Sequence, residues 1–435
     1  MIPQLFTLKN GLRIVFVDTK AFPTMTMLLL VGAGSRYENE KNNGVAHFFE
    51  HMAFKGSKKY PNSFVISSTI EGLGGIFNAF TSKDHTGYWI KSTNEHFETA
   101  MDVISDMIQN PLLSPEEIER EKGVIAEEIN LYEDTPMKKV GELFEGLLYQ
   151  GNPLGFDIAG KKETVQLFNQ LTFTEYIKNL YHPENAVLVV AGGLNQIKNE
   201  KLKMKNYNSK LKIIENKFKA WDNAERSRFI PIKESQTKPQ MLIKYKKTEQ
   251  AHFCLGFRAF SFNNPRKYTL HVLSAILGGG MSSRLFIQVR ERRGLCYYIS
   301  TGTELYSDCG NIVTQAGVVK EVDKIKEAIE AILNEHKKII KGEITRDELK
   351  RAKELIKGRL MLSLEDSATV ATFFGTKKLL QDKIETAEEV IKKIEAVTAE
   401  EITQLAKKIF IPKNLNLALI GPFGNPNVFN NVFSI

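Results

Sequence analysis

Cysteine is scarce in these 435 residues: only Cys254, Cys296 and Cys309 occur, and no two form a CxxC pair. A disulfide framework and a four-thiolate zinc site are thereby excluded, and a reducing, cytoplasmic location is expected. No apolar run reaches the roughly 18 residues of a membrane span. The opening MIPQLFTLKNGLRIVFVD lacks the basic, apolar and small-residue regions of a secretory signal. Charge of a single sign is missing as well. Lys and Arg (59) exceed Asp and Glu (51) to leave +8, but the signs alternate along most of the chain. The one basic stretch, Lys198 to Lys219, has few aromatic residues between its lysines. It reads as a solvated linker face, so neither nucleic acid nor membrane is expected as a partner. LGGGMSSRLF (Leu277 to Phe286) lacks the GK[ST] of a phosphate loop and reads as a tight turn at a helix end.

What is present is ordinary globular composition, 42% hydrophobic and 25% charged. At roughly 100 to 200 residues per domain, this length allows two to four domains. Two segments repeat. HPENAVLVVAGGL and IPKNLNLALIGPF both read as Pro, Asn and a buried strand stopped by glycine, pairing Pro183 with Pro412 and Gly192 with Gly421 at an offset of 229. GVAHFFEHMAFKG (Gly44 to Gly56) aligns with YTLHVLSAILGGG (Tyr268 to Gly280) at an offset of 224. Nearly equal offsets in two matches indicate a duplicated unit of about 200 residues.

The expected architecture is α+β: two homologous domains, each a mixed, mostly antiparallel sheet packed with helices. The expected divisions are a metal-binding domain over 1–215, a linker over 216–232 and a second domain over 233–435. Early strands are expected at Leu12 to Asp18 and Thr24 to Val31, and a late one at Ala186 to Ala191. Amphipathic helices are expected at His96 to Ile108, Pro115 to Tyr132, Thr172 to Tyr181, Val322 to Ile340 and Arg346 to Leu362.

The chemistry concentrates in His47, Phe48, Phe49, Glu50 and His51. Histidines four apart on a helix differ by about 40° around its axis, so both imidazoles can hold one metal, with Glu50 beside them. A zinc site needs a third protein ligand, and EREKGVIAEEINLYED offers carboxylates. Glu121 and Glu128, seven apart, share a helix face, while Glu127 is turned about 100° away and stays open as an alternative ligand. Ile125, Ile129 and Leu131 are expected to dock this helix. The aligned second copy reads His271, Val272, Leu273, Ser274, Ala275, without the glutamate and one histidine. It cannot carry an equivalent metal site, and His271 is expected to be packed.

HxxEH followed 77 residues later by a glutamate in EREKGVIAEE, with GGIFNAFTSKDHTGYW between and SSRLFIQVRERRGLCYY beyond, resembles the pitrilysin and mitochondrial processing peptidase family of inverted zincins over nearly the whole chain. The resemblance implies a zinc endopeptidase with one zinc ion per chain. It makes His47, His51 and Glu128 the ligands, Glu50 the general base and Glu121 an auxiliary acid. It also implies that Asn78, Ala79, Phe80 and Thr81 form an edge strand pairing with extended peptide substrates, with Phe54 and Phe80 as candidate pocket residues. Read alone, Arg290 is a surface arginine near Glu291 and Tyr297 a half-buried tyrosine. The resemblance makes them a pair that stabilises the attacked carbonyl.

A presequence-cleaving relative would carry acids ten and fourteen positions after the zinc glutamate, where this chain has Lys138 and Glu142. The resemblance therefore favours a general oligopeptide-degrading enzyme of the bacterial short-chain branch. The alternatives are a presequence-type processing peptidase and a non-catalytic, zinc-stabilised scaffold subunit. Long family members enclose substrate between two joined halves, and this chain has the length of one half, so a homodimer is expected.

Overall fold

The computed structural model describes residues 1–194, 200–225, 227–381 and 383–432, so Lys198 of the basic stretch and Arg226 of the expected linker lie outside the described residues. Two compact units emerge, each assembled from three stretches of chain. The first comprises Met1–Ile129, Asp157–Ile230 and Met361–Ala387; the second comprises Asn130–Phe156, Pro231–Leu360 and Glu388–Ile435.

The first unit is built on six strands: β1 (Gln4–Thr7), β2 (Arg13–Asp18), β3 (Thr24–Val31), β4 (Ile76–Thr81), β5 (Thr86–Thr93) and β6 (Ala186–Gly192). Their order is β1-β2-β6-β3-β5-β4, which leaves β4 at an edge. Only β2 and β6 run parallel, while β1/β2, β3/β6, β3/β5 and β4/β5 are antiparallel. β3 and β6 are almost wholly buried, because both sheet faces are covered. On one side lies the core of Phe48, Phe49, Tyr88, Met101, Ile104 and their neighbours. On the other the helix Ser367–Leu380 packs on β3 and β6. It comes close enough that a Cβ at Gly375 would stand 2.6 Å from Leu30, and Ser367 Oγ lies 2.8 Å from Thr26 Oγ1.

The second unit repeats the plan with β7 (Gln240–Tyr245), β8 (Gln250–Ala259), β9 (Cys296–Leu305), β10 (Gly310–Val319) and β11 (Leu415–Gly421) in the order β7-β11-β8-β10-β9. Again one pair, β7/β11, is parallel and the others are antiparallel. The turn Pro183–Asn185 before β6 has its counterpart in Pro412–Asn414 before β11, so the repeat read from sequence is a repeat of structure. The helix Pro136–Leu148 packs on β8 and β11 and buries Val140, Phe144 and Leu148 with Cys254, Ala418 and Ile420. Each unit therefore holds one helix from the opposite half of the chain.

The helix expectations agree closely: Phe97–Gln109, Pro115–Glu133, Gln170–Leu180, Val322–Ile340 and Arg346–Ser363. Two details differ. Leu131 does not dock its helix; it is 60% exposed, because six residues place it some 240° around the axis from buried Ile125. The basic stretch is no bare linker either. It forms the helix Glu200–Phe218, whose Tyr207, Ile214 and Phe218 enter the first core, while Lys217 Nζ lies 2.5 Å from Asp102. Among the described residues no helix is long and apolar enough to cross a membrane.

Candidate metal centre

The short helix Val45–Met52 is anchored by its apolar residues. Val45, Ala46, Phe48, Phe49 and Met52 are buried, with Phe48 against Phe173 at 4.9 Å and Phe49 against Tyr181 at 4.9 Å between ring centres. What remains, His47, Glu50 and His51, faces the site. No side chain of its own caps the helix; Gly44 stands at the N-cap with φ 101°. The buried carboxylate of Glu38 does so instead, accepting from Asn43 Nδ2 and Gly44 N at 2.9 Å each and from Ala46 N at 2.8 Å. Burial outweighs those hydrogen bonds and pushes the Glu38 carboxyl up to about 7.

The helix Pro115–Glu133, docked through Ile118 and Ile125, brings Glu121 and Glu128 to the same place. His47, His51 and Glu128 each offer a ligand atom, and these lie within 4.8 Å of one another. Glu128 Oε2 stands 3.5 Å from His47 Nε2 and 3.6 Å from His51 Nε2. Such separations exceed ordinary hydrogen bonds and approach the roughly 3.3 Å between ligand atoms of a tetrahedral zinc shell with 2.0–2.1 Å bonds. The donor set thus fits a zinc ion. Glu127, by contrast, is exposed and outside the cluster.

Glu121 is nearly buried and turned to the back of the site. Its Oε1 accepts from His51 Nδ1 at 2.8 Å and its Oε2 pairs with Lys55 Nζ at 2.5 Å. Burial pushes the Glu121 carboxyl up, but the hydrogen bonds and charges of His51 and Lys55 overcome this and hold it below its ordinary value. With its proton on Nδ1, His51 presents the Nε2 lone pair to the metal position. Burial alone would lower the pKa of His51. Hydrogen bonding to Glu121 and the charges of Glu121, Glu128 and Glu50 raise it instead, so the position favours positive charge. Among the described residues, the buried Nδ1 of His47 has no hydrogen-bond partner.

Glu50 stands outside the cluster. Thr81 Oγ1 donates to its Oε2 at 2.6 Å. Thr81 ends β4, which among the described residues pairs with β5 alone, so Asn78, Ala79, Phe80 and Thr81 lie on an edge strand. Their side chains alternate. Ala79 and Phe77 pack on the core with Phe54, whose ring lies 5.3 Å from that of Phe77. Phe80 points to the opposite face, across Gly87. The structure therefore does not bring Phe54 and Phe80 into one pocket.

In the second unit, Arg290 lies in the helical turn Phe286–Glu291 and Tyr297 near the start of β9, with Gly294 at φ 61° between them. The guanidinium of Arg290 sits 5.9 Å from the Tyr297 ring centre, and Tyr297 is 73% exposed. His271 is packed as expected: its Nδ1 lies 3.1 Å from Thr303 Oγ1 and burial lowers its pKa to about 4. Sequence reasoning missed Lys55, whose spacing of four from His51 was the available signal, and Glu38, which carried none.

Residues 13–162 match the family described as Insulinase (Peptidase family M16), and residues 168–356 match Peptidase M16 inactive domain. A Bacillus subtilis (strain 168) protein named uncharacterized zinc protease YmxG is 35% identical over 97% of this chain and 98% of its own length. The chain belongs to peptidase family M16. An uncharacterized zinc protease of Rickettsia bellii (strain RML369-C) is 32% identical over 95% of the chain and 96% of its own. Two solved structures share this M16 fold. A protease from Helicobacter pylori has a TM-score of 0.88 at 22% identity, covering 97% of this chain and 99% of its own. A peptidase M16 inactive domain from Pseudomonas fluorescens has 0.85 at 18%, covering 97% and 98%. His47, Glu50, His51 and Glu128 lie in the first matched segment, Arg290 and Tyr297 in the second.

Proposed function

We propose that the protein is a zinc-dependent endopeptidase that hydrolyses unstructured oligopeptides, with one zinc ion per chain. The observation that carries this reading is the convergence of His47 Nε2, His51 Nε2 and Glu128 Oε2 beside a carboxylate, Glu50, that takes no part in the cluster. His47, His51 and Glu128 would hold a zinc ion, which would supply Lewis acidity and lower the pKa of a nearby water to about 7. Glu50, beside that position, would take up a proton at its carboxylate and return it to the departing amine. Glu121 orients His51, and Lys55 neutralises Glu121. The free edge of β4 holds an extended substrate main chain to main chain, which recognises backbone rather than sequence. Arg290 and Tyr297 stabilise the attacked carbonyl.

Two copies form the working enzyme in this proposal. The second unit repeats the fold without the metal ligands, so Arg290 and Tyr297 of one subunit complete the zinc site of the other, and the pair encloses the substrate. General oligopeptide cleavage is favoured over presequence processing because Lys138 replaces one acid and Lys139 Nζ engages the other, Glu142, at 2.8 Å. A scaffold role has no use for Glu50, a base outside the metal shell.

The test is hydrolysis of a mixed peptide pool by the purified protein, with chelator and then with zinc restored. Cleavage that stops with chelator and returns with zinc supports the reading. Failure to cleave any peptide with zinc bound contradicts it.

A further inference from the structure

The end of the edge strand and the base of the reaction meet at one hydrogen bond. Along β4 the side chains of Phe77 and Ala79 turn towards the core, and Thr81, two residues on, turns the same way. Its hydroxyl donates to Glu50 Oε2 at 2.6 Å, within the range of a good O–H···O hydrogen bond. Among the described residues its other hydrogen-bonding neighbour is Thr86 Oγ1, 3.5 Å away. Thr86 spends its own proton on Ala33 O at 2.7 Å. Distance therefore assigns the Thr81 proton to Glu50. No hydrogen bond to the other carboxylate oxygen, Oε1, occurs among the described residues.

We propose that Thr81 is the positioning residue of the general base, a role that rests on the peptidase reading and differs from substrate contact. By fixing Oε2 it sets the rotation of the Glu50 carboxylate and leaves Oε1 to take the proton. A glutamate has three rotatable bonds, and the helix Val45–Met52 constrains only its Cα and Cβ; without Thr81 the carboxylate swings. The hydroxyl is supplied by the last residue of the strand to whose edge the substrate adds, and Thr81 is paired with Thr86 across the β4/β5 hairpin. Substrate alignment and base alignment thus share one rigid element, where small displacements of a catalytic group cost much of the rate. The hydroxyl points inward and strand addition uses the main chain, so removal of the hydroxyl should spare substrate binding.

The experiment compares Thr81→Val, which keeps the shape, with Thr81→Ser, which keeps the hydroxyl. Zinc per chain, kcat and KM on an unstructured fluorogenic peptide, and crystal structures of the zinc-loaded proteins are measured. Thr81→Val should retain zinc and a KM within about twofold, while kcat falls about 10- to 100-fold, part of what a well-placed general base contributes. Thr81→Ser should restore kcat to within about threefold of wild type. In the crystals, Glu50 Oε2 should stay bonded to residue 81 in the wild type and Thr81→Ser and be displaced in Thr81→Val. An unmoved Glu50 carboxylate in Thr81→Val overturns the proposal whether or not any peptide is cut. So do unchanged kcat in Thr81→Val, loss of zinc, or a Thr81→Ser enzyme as slow as Thr81→Val. Absence of cleavage by the wild type would refute the peptidase reading and with it the catalytic role of Thr81; displacement of Glu50 only in Thr81→Val would then show that Thr81 holds the carboxylate without serving hydrolysis.

Discussion

His51 and Glu121 are joined by a 2.8 Å hydrogen bond at Nδ1, the ring atom turned away from the metal position, and the second Glu121 oxygen is held by Lys55. The arrangement separates two kinds of glutamate on one helix: Glu128 faces the metal position and Glu121 fixes a ligand from behind.

That separation predicts unequal losses. His51→Ala removes a ligand atom and Glu128→Gln replaces a charged carboxylate ligand with a neutral amide, so both should strip most of the zinc, whereas Glu121→Gln should weaken zinc affinity about 10- to 100-fold, as loss of a carboxylate behind a ligating histidine does. Competition with a chelator measures both. Loss of zinc in Glu127→Gln with retention in Glu128→Gln would contradict the helix face described here.

Glu38 predicts a pH dependence of stability. Its carboxyl is raised from 4.5 to about 7, so between these values the folded protein keeps a proton that the unfolded chain has released. Its contribution is fully present below the unfolded value and is lost as pH rises through the folded one. The stability of wild type relative to Glu38→Gln, which cannot titrate, should therefore fall between pH 4.5 and 7, by up to about 3 kcal/mol at 1.36 kcal/mol per unit. Denaturant titrations at several pH values check this. A constant difference would show that Glu38 does not titrate in this range.

The edge position of β4 predicts selection by substrate conformation, since strand addition requires an extended chain. An unstructured peptide should be cut much faster than the same sequence held inside a stably folded domain. Equal rates on native, well-folded proteins would exclude strand addition within an enclosed pair.

Much of this was legible in the sequence, and the rest shows what local pattern omits. The strand Thr24–Val31 and the helix Val322–Ile340 have the bounds their periodicity indicates. His47 and His51 face one point because helical spacing is local geometry, whereas Glu128, on another helix, was indicated only by the family resemblance. The exchange of Pro136–Leu148 and Ser367–Leu380 between the units was not legible, since amphipathicity shows that a face is buried and not against which sheet. The errors at Leu131 and at the Phe54 and Phe80 pair come from ignoring direction: about 100° per residue on a helix, alternate faces on a strand. Glu38 and the Thr81–Glu50 bond join residues far apart in sequence, for which spacing carries no signal.

Assembly predicts complementation. Under the proposed twofold arrangement, Glu50→Gln and the Arg290→Ala, Tyr297→Phe double variant are each inactive as pure dimers. Heterodimers of the two contain one wild-type site and one that has lost both parts. Mixing after subunit exchange should restore activity. No recovery in verified heterodimers would mean that each site is completed within one chain.

The central claim is that Glu50 moves protons at a metal it does not bind, and it is tested most directly by measuring zinc content and peptide hydrolysis together in Glu50→Gln. The account predicts zinc equal to wild type and hydrolysis reduced by at least about 100-fold, the scale of a general base. Loss of zinc from this variant, or hydrolysis at the wild-type rate with zinc bound, would contradict it.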